Sequence, residues 1–280
     1  MRWLFAFNIL TSMSIMGEDE SSPPRYVIGS LLGQAGNNFF QIATASALAW
    51  DHDGVAFFPQ LGSVPTLYHH YFSRCKMLPP IDSPTITWQE PHIHYKPIPF
   101  TSGMTLQGYF QSWKYFDHHR ERLLSLFAPT KKDLKRIFTR YQHILDHSCS
   151  VGIQVRYYAE EAPSFIQYDR AYFQKAMDYF PPDALFIVSS NNLTYAKAQI
   201  PTQGYQVFFF EQEQPHIEFY TLTLCKHNII SNSTFGWWSA YLNQNPHKIV
   251  LCPTPWAKDN QPDIYPKNWI QISLCDHATE

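Results

Sequence analysis

The sequence contains no apolar run long enough to cross a bilayer, no cysteine pairing pattern, no basic excess and no complete phosphate-binding fingerprint, and each absence removes a class of function. The most apolar stretch, residues 3–16 behind Arg2, is broken by Asn8, Thr11, Ser12 and Ser14 and falls short of the about 20 residues a spanning helix needs. One basic residue ahead of an interrupted apolar segment also makes a poor signal peptide. Residues 1–24 are therefore read as a leader outside the fold. A cytoplasmic location is expected, with peripheral membrane attachment at most. Cys75, Cys149, Cys225, Cys252 and Cys275 are scattered and never in CxxC spacing, which fits neither a disulfide framework nor a zinc site. They read as reduced thiols. A formal net charge of -2 offers nothing to a phosphate backbone, so nucleic acid is excluded as a partner. With 45% hydrophobic residues the chain is a globular protein and not a disordered one. The histidine pairs His69–His70 and His92–His94 have no carboxylate at ligand spacing beside them, so no metal is expected.

What is present is an alternation of short apolar runs with longer helical segments, the pattern of an α/β fold with parallel sheets. Strands are predicted at Tyr26–Ser30, Val55–Phe58, Val151–Val155, Leu185–Ser189, Tyr205–Phe208, Asn228–Ser231 and Ile249–Cys252. Helices are predicted at Ile42–Trp50, Trp113–Phe127 and Lys131–Leu145. Residues 59–100, rich in proline and aromatics without periodicity, read as loops around small elements. The restart of strand pattern at Val151 divides the chain into a first domain at 25–149 and a second at 150–280. Ligands of parallel sheets sit at the carboxyl ends of strands, so the residues just after each strand carry the chemistry.

Three strand-to-helix junctions stand out. Gly33 to Gln41 places two glycines and two asparagines before a helix, where close backbone approach and free amides suit an anion; an ordinary turn with an asparagine cap is the plainer alternative. A phosphate-loop lysine and the third glycine of a dinucleotide motif are missing from it. The second junction ends the apolar segment Val151–Val155 on Arg156, whose planar fork suits a diphosphate; an ion pair with Glu160 or Glu161 is the competing reading. The third runs from Lys226 through Ser231, Asn232, Ser233 and Thr234 into Phe235-Gly236-Trp237-Trp238. It gathers hydroxyls, an amide and helix N-terminal N–H groups in one place, where capping alone needs only one polar side chain.

At these residues the sequence resembles the galactoside α-1,2-fucosyltransferase family. Gly36-Asn37-Asn38-Phe39-Phe40-Gln41 looks like the family's Gly-Asn-Gln-Met-Phe-Gln motif. Leu106 to Phe116 resembles its Gly-Tyr-Phe-Gln-Ser segment, and Cys225–Leu242 is nearly the family pattern entire. The resemblance spans roughly Ile28 to Trp256. It implies a GT-B-like fold of two facing Rossmann-like domains with a cleft between them. It further implies a GDP-fucose donor held mainly by the second domain, a terminal β-galactoside acceptor, and inversion at the sugar carbon without a metal or other cofactor. On the family's His-Val-Arg-Arg-Gly-Asp-Tyr pattern Arg156 would hold the diphosphate. Ser231, Asn232, Ser233, Thr234 and Phe235 would support diphosphate and fucose, and Asn37 would lie near the reacting groups beside Gly36. Ser190 and Asn191 would line the guanosine pocket, with Gln154 on the donor side. Tyr109, Gln111 and Trp113 are acceptor-side candidates, and Glu160 or Glu161 is the candidate general base.

The departures matter as well. The family histidine is Gln154 here, the second arginine is Tyr157, and the next Gly and Asp are Tyr158 and Ala159. The carboxylate expected for guanine is represented by Asn191 or Asn192. Two rival readings follow from these changes: the same fold with another nucleotide sugar, and a non-catalytic carbohydrate-binding descendant.

Overall fold

The computed structural model describes residues 25–77, 86–158, 165–258 and 263–273. Two wholly parallel sheets carry the molecule. The first is built from β1 (Tyr26–Gly29), α1 (Ala35–Asp51), β2 (Val55–Phe57), the single turn α2 (His69–Phe72), β3 (Thr87–Gln89) and β4 (Met104–Gln107), with strands in the order β2-β1-β4-β3. Two 3-10 turns, α3 (Arg120–Leu126) and α4 (Lys131–Leu145) then lead away from it. The second sheet follows as β5 (Ser150–Val155), α5 (Arg170–Met177), β6 (Leu185–Ser190), α6 (Leu193–Gln199), β7 (Gln206–Phe209), α7 (Pro215–Leu224), β8 (His227–Ile230), α8 (Thr234–Tyr241), β9 (Val250–Thr254) and β10 (Ile270–Ser273). Its order is β10-β9-β8-β5-β6-β7. This is the α/β architecture with parallel sheets that the alternating pattern called for, in the GT-B-like arrangement that the family resemblance implied.

The second sheet reverses its winding once, between the neighbours β5 and β8. At such a switch point two adjacent strands send their following segments to opposite faces, and a crevice opens at their carboxyl ends. In the first sheet β1 and β4 are neighbours although β2 and β3 come between them in the chain, so the loops after both flank one crevice. Of the three junctions singled out in the sequence, one follows β1 and the other two follow β5 and β8 at the switch point.

The helices α1, α7 and α8 hold the two sheets together. Phe39 and Phe40 of α1 are fully buried, and Phe39 stacks on Phe219 of α7 and on Trp238 of α8, with ring centroids 5.2 Å apart in both cases. Phe40 meets Trp237 at 4.6 Å. Aromatic rings bury large areas and gain further from offset and edge geometry, so this plug is the main adhesive between the halves. The rest of α1 is alanine-rich, and Ala43, Ala45, Ala47 and Ala49 are wholly buried because the helix is covered on nearly all sides. Helix α4, capped by Thr130 at the backbone N–H of Asp133, packs against α7. There Tyr141 donates to Glu213 at 2.6 Å while Arg136 and Arg140 pair with the same carboxylate.

Differences from the sequence reading have local causes. Helix α1 begins at Ala35, seven residues before the predicted start, because Gly33 at φ 74° turns the chain and Gln34 accepts from both Asn37 and Asn38. The predicted helix Trp113–Phe127 is two 3-10 turns followed by α3. Strands β3, β4 and β10 were not foreseen. The four described cysteines are unpaired, and Cys275 lies outside the described residues. Among the described residues no helix is long and apolar enough to cross a membrane.

Candidate active site

The first crevice is framed by residues after β1 and β4. The side chains of Asn38 and Gln41, both buried, face inward: Gln41 accepts from Leu32 N–H at 3.0 Å and donates to the Gly108 carbonyl at 2.9 Å, and Asn38 donates to the Leu32 carbonyl at 3.1 Å. Half the motif thus ties the β1 and β4 loops together. Asn37 alone looks outward. Its Oδ1 accepts from Gln111 Nε2 at 3.0 Å, from the loop after β4, and from Thr234 Oγ1 at 3.1 Å, across to the second sheet. Both donors reach the oxygen, so the Asn37 amide N–H₂ is turned the other way, over Gly33, where an added Cβ would lie 2.5 Å from Nδ2. Gly36 has a different task from ligand approach. A Cβ there would lie 2.4 Å from Thr234 Oγ1 and 2.6 Å from Phe235 N, so glycine is what lets α1 touch the start of α8.

The second crevice lies between Arg156, after β5, and the Ser231–Phe235 segment after β8. The two are joined directly: Arg156 N–H donates to Ser231 Oγ at 3.0 Å, and Ser231 in turn donates to Gln154 Oε1 at 3.0 Å. Gln154 is buried and acts as the support beneath Ser231, while Gly236 gives it room. The guanidinium of Arg156 lies over the Tyr158 ring at 5.2 Å, and that ring is stacked on Phe165 at 4.4 Å and 5°. Among the described residues no carboxylate pairs with Arg156. Burial pushes the Tyr158 hydroxyl up to about 12, so it stays protonated and donates to the Asn232 carbonyl at 2.6 Å. Tyr158 was a departure from the family motif; here it serves as the pedestal of the cation.

Within the polar cluster the side chains divide their work. Asn232 spends its amide on the carbonyls of Ile166 and Trp256, both at 3.0 Å, and so anchors the loop. Ser233 precedes α8 without capping it through its side chain, and Thr234 reaches Asn37. Phe235 packs on Phe219 at 4.9 Å and on Tyr71 at 6.3 Å, at the seam of the two halves. The first-turn N–H groups of α8 lack intrahelical acceptors and mark its positive end.

In the nucleotide segment Asn191 clamps the Tyr157 backbone through both amide atoms at 2.9 Å. Asn192 caps α6 by accepting from Tyr195 N–H, and Ser190 closes a local loop with Asn192. Neither asparagine supplies a carboxylate. A carboxylate that the sequence did not single out lies beside the end of β6: Glu218 of α7 accepts from Ser189 Oγ at 2.5 Å, and burial pushes its carboxyl up to about 7. Nothing local could have signalled it, since Ser189 and Glu218 meet only through tertiary folding.

On the first-sheet side Tyr109 is exposed, Gln111 is engaged with Asn37, and Trp113 begins a 3-10 turn packed against the core. Ser112 and Lys114 fasten that segment to Asp263, the latter at 2.9 Å. Glu160 and Glu161 lie outside the described residues. One expectation needs correction: His70 does have a carboxylate neighbour. Asp133 of α4 lies 3.7 Å from it and 3.4 Å from His216, a grouping invisible in sequence because the three residues belong to α2, α4 and α7. The two imidazoles are stacked face to face at 3.6 Å and 9°, so they cannot both aim an in-plane lone pair at one ion.

Sequence and fold both have counterparts among known proteins. The sequence model of glycosyl transferase family 11 matches residues 86–273. The galactoside alpha-(1,2)-fucosyltransferase 1 of Rattus norvegicus is 32% identical over 237 residues, covering 75% of this chain and 61% of that protein. The galactoside 2-alpha-L-fucosyltransferase SEC1 of Bos taurus is 30% identical over 233 residues, covering 75% and 62%. This chain therefore spans less than two thirds of either relative. The O-antigen biosynthesis glycosyltransferase WbnK of Escherichia coli is 28% identical over 188 residues, covering 61% of each. Among solved structures, an Arabidopsis thaliana FUT1 mutant in complex with GDP superposes with a TM-score of 0.53 at 16% identity, covering 84% of this chain and 71% of that one. The NodZ alpha-1,6-fucosyltransferase, soaked with GDP-fucose, gives 0.54 at 12% identity, covering 82% and 95%. At such identities these two establish the fold. Family match and fold agree, and the chain belongs to glycosyl transferase family 11.

Proposed function

We propose that this chain transfers a fucosyl group from GDP-fucose to the 2-hydroxyl of a terminal β-galactoside, with inversion. The observation that carries the reading is the meeting of the two halves at Asn37, whose Oδ1 accepts from Gln111 of its own half and from Thr234 of the other, in the segment whose Ser231 accepts from Arg156 N–H. The named activities of the curated relatives support the same reading.

In this reading the diphosphate lies between the Arg156 guanidinium and the first turn of α8. Arg156 is held on its aromatic pedestal before substrate arrives, so it neutralises charge on the leaving diphosphate without reorganising. The amide N–H₂ of Asn37 donates toward the same centre from the acceptor side. Deprotonation of the acceptor hydroxyl falls to Glu160 or Glu161. Guanine presents N–H donors, and Glu218, with Ser189 occupying one carboxylate oxygen, supplies their acceptor in place of Asn191 or Asn192. That assignment favours a guanine nucleotide over another base.

The test is incubation with labelled GDP-fucose and a β-galactoside, with the product linkage read by NMR. An α-1,2-linked fucoside is expected. A panel of nucleoside diphosphates should raise the melting temperature only for GDP, since a ligand that binds the native state alone stabilises by mass action. Stabilisation by a different nucleotide, or binding without turnover, would overturn the proposal.

A further inference from the structure

At the carboxyl end of β3, Glu90 turns its carboxylate back onto the loop that follows β4. Its Oε2 accepts from Tyr109 N–H at 2.7 Å and from Phe110 N–H at 3.0 Å, and its Oε1 lies 3.1 Å from the Phe110 nitrogen. A charged acceptor makes these stronger than ordinary amide bonds. The chain segment it grips is unusual. Phe110 sits at φ 53°, a left-handed conformation that a residue with a bulky ring rarely adopts. The ring itself is buried, stacked on Trp88 and edge-on to Tyr115. Gly108 is the contact point: a Cβ on it would fall 2.4 Å from Glu90 Cβ and 2.6 Å from Oε2. The residue immediately after the gripped pair is Gln111, which donates to Asn37 Oδ1.

We infer that Glu90 is a positioning residue: by clasping the Tyr109 and Phe110 amides it fixes the left-handed turn that delivers Gln111 to Asn37, and so sets which face of the Asn37 amide meets the substrate. Without the clasp the turn relaxes toward ordinary backbone angles, Gln111 withdraws, and Asn37 Oδ1 keeps only its bond from Thr234. Its amide can then rotate. Glu90 touches no reacting atom in this account; it acts through two intermediaries. The inference rests on the reading that places Asn37 beside the transferred sugar.

The experiment compares Glu90→Gln, Gly108→Ala and the double variant. Glu90→Gln keeps the shape but replaces one acceptor oxygen with an amide nitrogen that repels the backbone N–H groups. Transfer is expected to fall about tenfold to a hundredfold in kcat, the scale of a misplaced reacting group, while the Kd for GDP stays within about twofold. Gly108→Ala should reproduce the loss, and the double variant should lose little more, because both disable one clasp. Equal transfer by wild type and Glu90→Gln would overturn the inference. So would a parallel loss of GDP affinity and thermal stability, which marks a merely structural role. If Glu90→Gln does not fold, the single Gly108→Ala variant decides by the same criteria. The Asn37 side-chain amide signals in a ¹⁵N spectrum give a readout independent of turnover and must shift in the variants. Wild type that fails to transfer fucose sinks the proposed function, whereas unshifted Asn37 signals sink the clasp.

Discussion

Thr234 Oγ1 donates to Asn37 Oδ1 at 3.1 Å, and that bond joins the loop after β1 in the first sheet to the segment after β8 in the second. The contact is possible because Gly36 brings the first turn of α1 against the first turn of α8.

Two substitutions separate the bond from the amide it orients. Thr234→Val removes the donor while Gln111 still holds Asn37, and is expected to reduce kcat about tenfold, the worth of one such bond. Asn37→Asp keeps both bonds but exchanges the outward N–H₂ for a second acceptor oxygen, and puts negative charge beside the diphosphate. Its loss should be the larger. Steady-state kinetics that rank the two variants in the opposite order would contradict the orientation described for Asn37.

Arg156→Ala is expected to lower kcat by about a hundredfold to a thousandfold, the cost of losing one charge-stabilising donor of about 3 kcal/mol. Thermal stability should barely change, because the guanidinium pairs with no carboxylate among the described residues. Arg156→Lys retains a point charge without the planar fork and should recover activity only in part. Turnover near wild type in the alanine variant would remove Arg156 from the mechanism.

Gly36→Ala tests close approach. Helix propensity favours alanine by about 1 kcal/mol, but overpacking against backbone atoms of α8 costs about 1–3 kcal/mol. With Phe235 N only 2.6 Å from the added carbon, the clash should win. A lower melting temperature is expected, together with loss of transfer beyond what the stability change explains.

Glu218 links stability to pH. Its carboxyl sits at about 7 in the folded chain against 4.5 when free, so the native state holds the proton more tightly than the unfolded state does. Below about pH 4.5 both states hold the proton and the group has no effect; the native state loses stability as pH rises from about 4.5 to about 7, and the loss levels off above 7 at about 3 kcal/mol. Glu218→Gln should therefore raise the melting temperature by several degrees at pH 8 and leave it nearly unchanged at pH 4.5. GDP affinity should fall in the variant, and in the wild type should weaken as pH drops below 7. Melting scans and titration calorimetry across that range measure both effects.

Much of this was legible in the chain itself. The strands β5, β6, β8 and β9 are buried, and their apolar runs gave them away; Arg156 and the Ser231–Phe235 segment followed from where such runs end. Strand β3 was hidden because its residues are largely exposed and only three long, and β10 because it lies at a sheet edge. At the site, the sequence could place polar residues on the right loops but not say which of them are consumed internally. Asn232, Gln154 and Asn191 are all bound to backbone or to neighbouring side chains, and Glu218 reaches the nucleotide segment from a helix with no motif of its own. Hydrogen-bond partners separated by tens of residues leave no trace in local pattern.

The aromatic plug of Phe39, Phe40, Phe219, Trp237 and Trp238 has an implication for engineering. The second half has a buried cluster of its own around Val151, Ile153, Tyr172 and Phe186, but at the seam each half lends rings to the other. The second half of a relative could therefore not be grafted onto the first half of this chain without disturbing that seam. Such a chimera would inherit mismatched rings at the seam, and would need α1 to travel with α7 and α8 as one inheritable block.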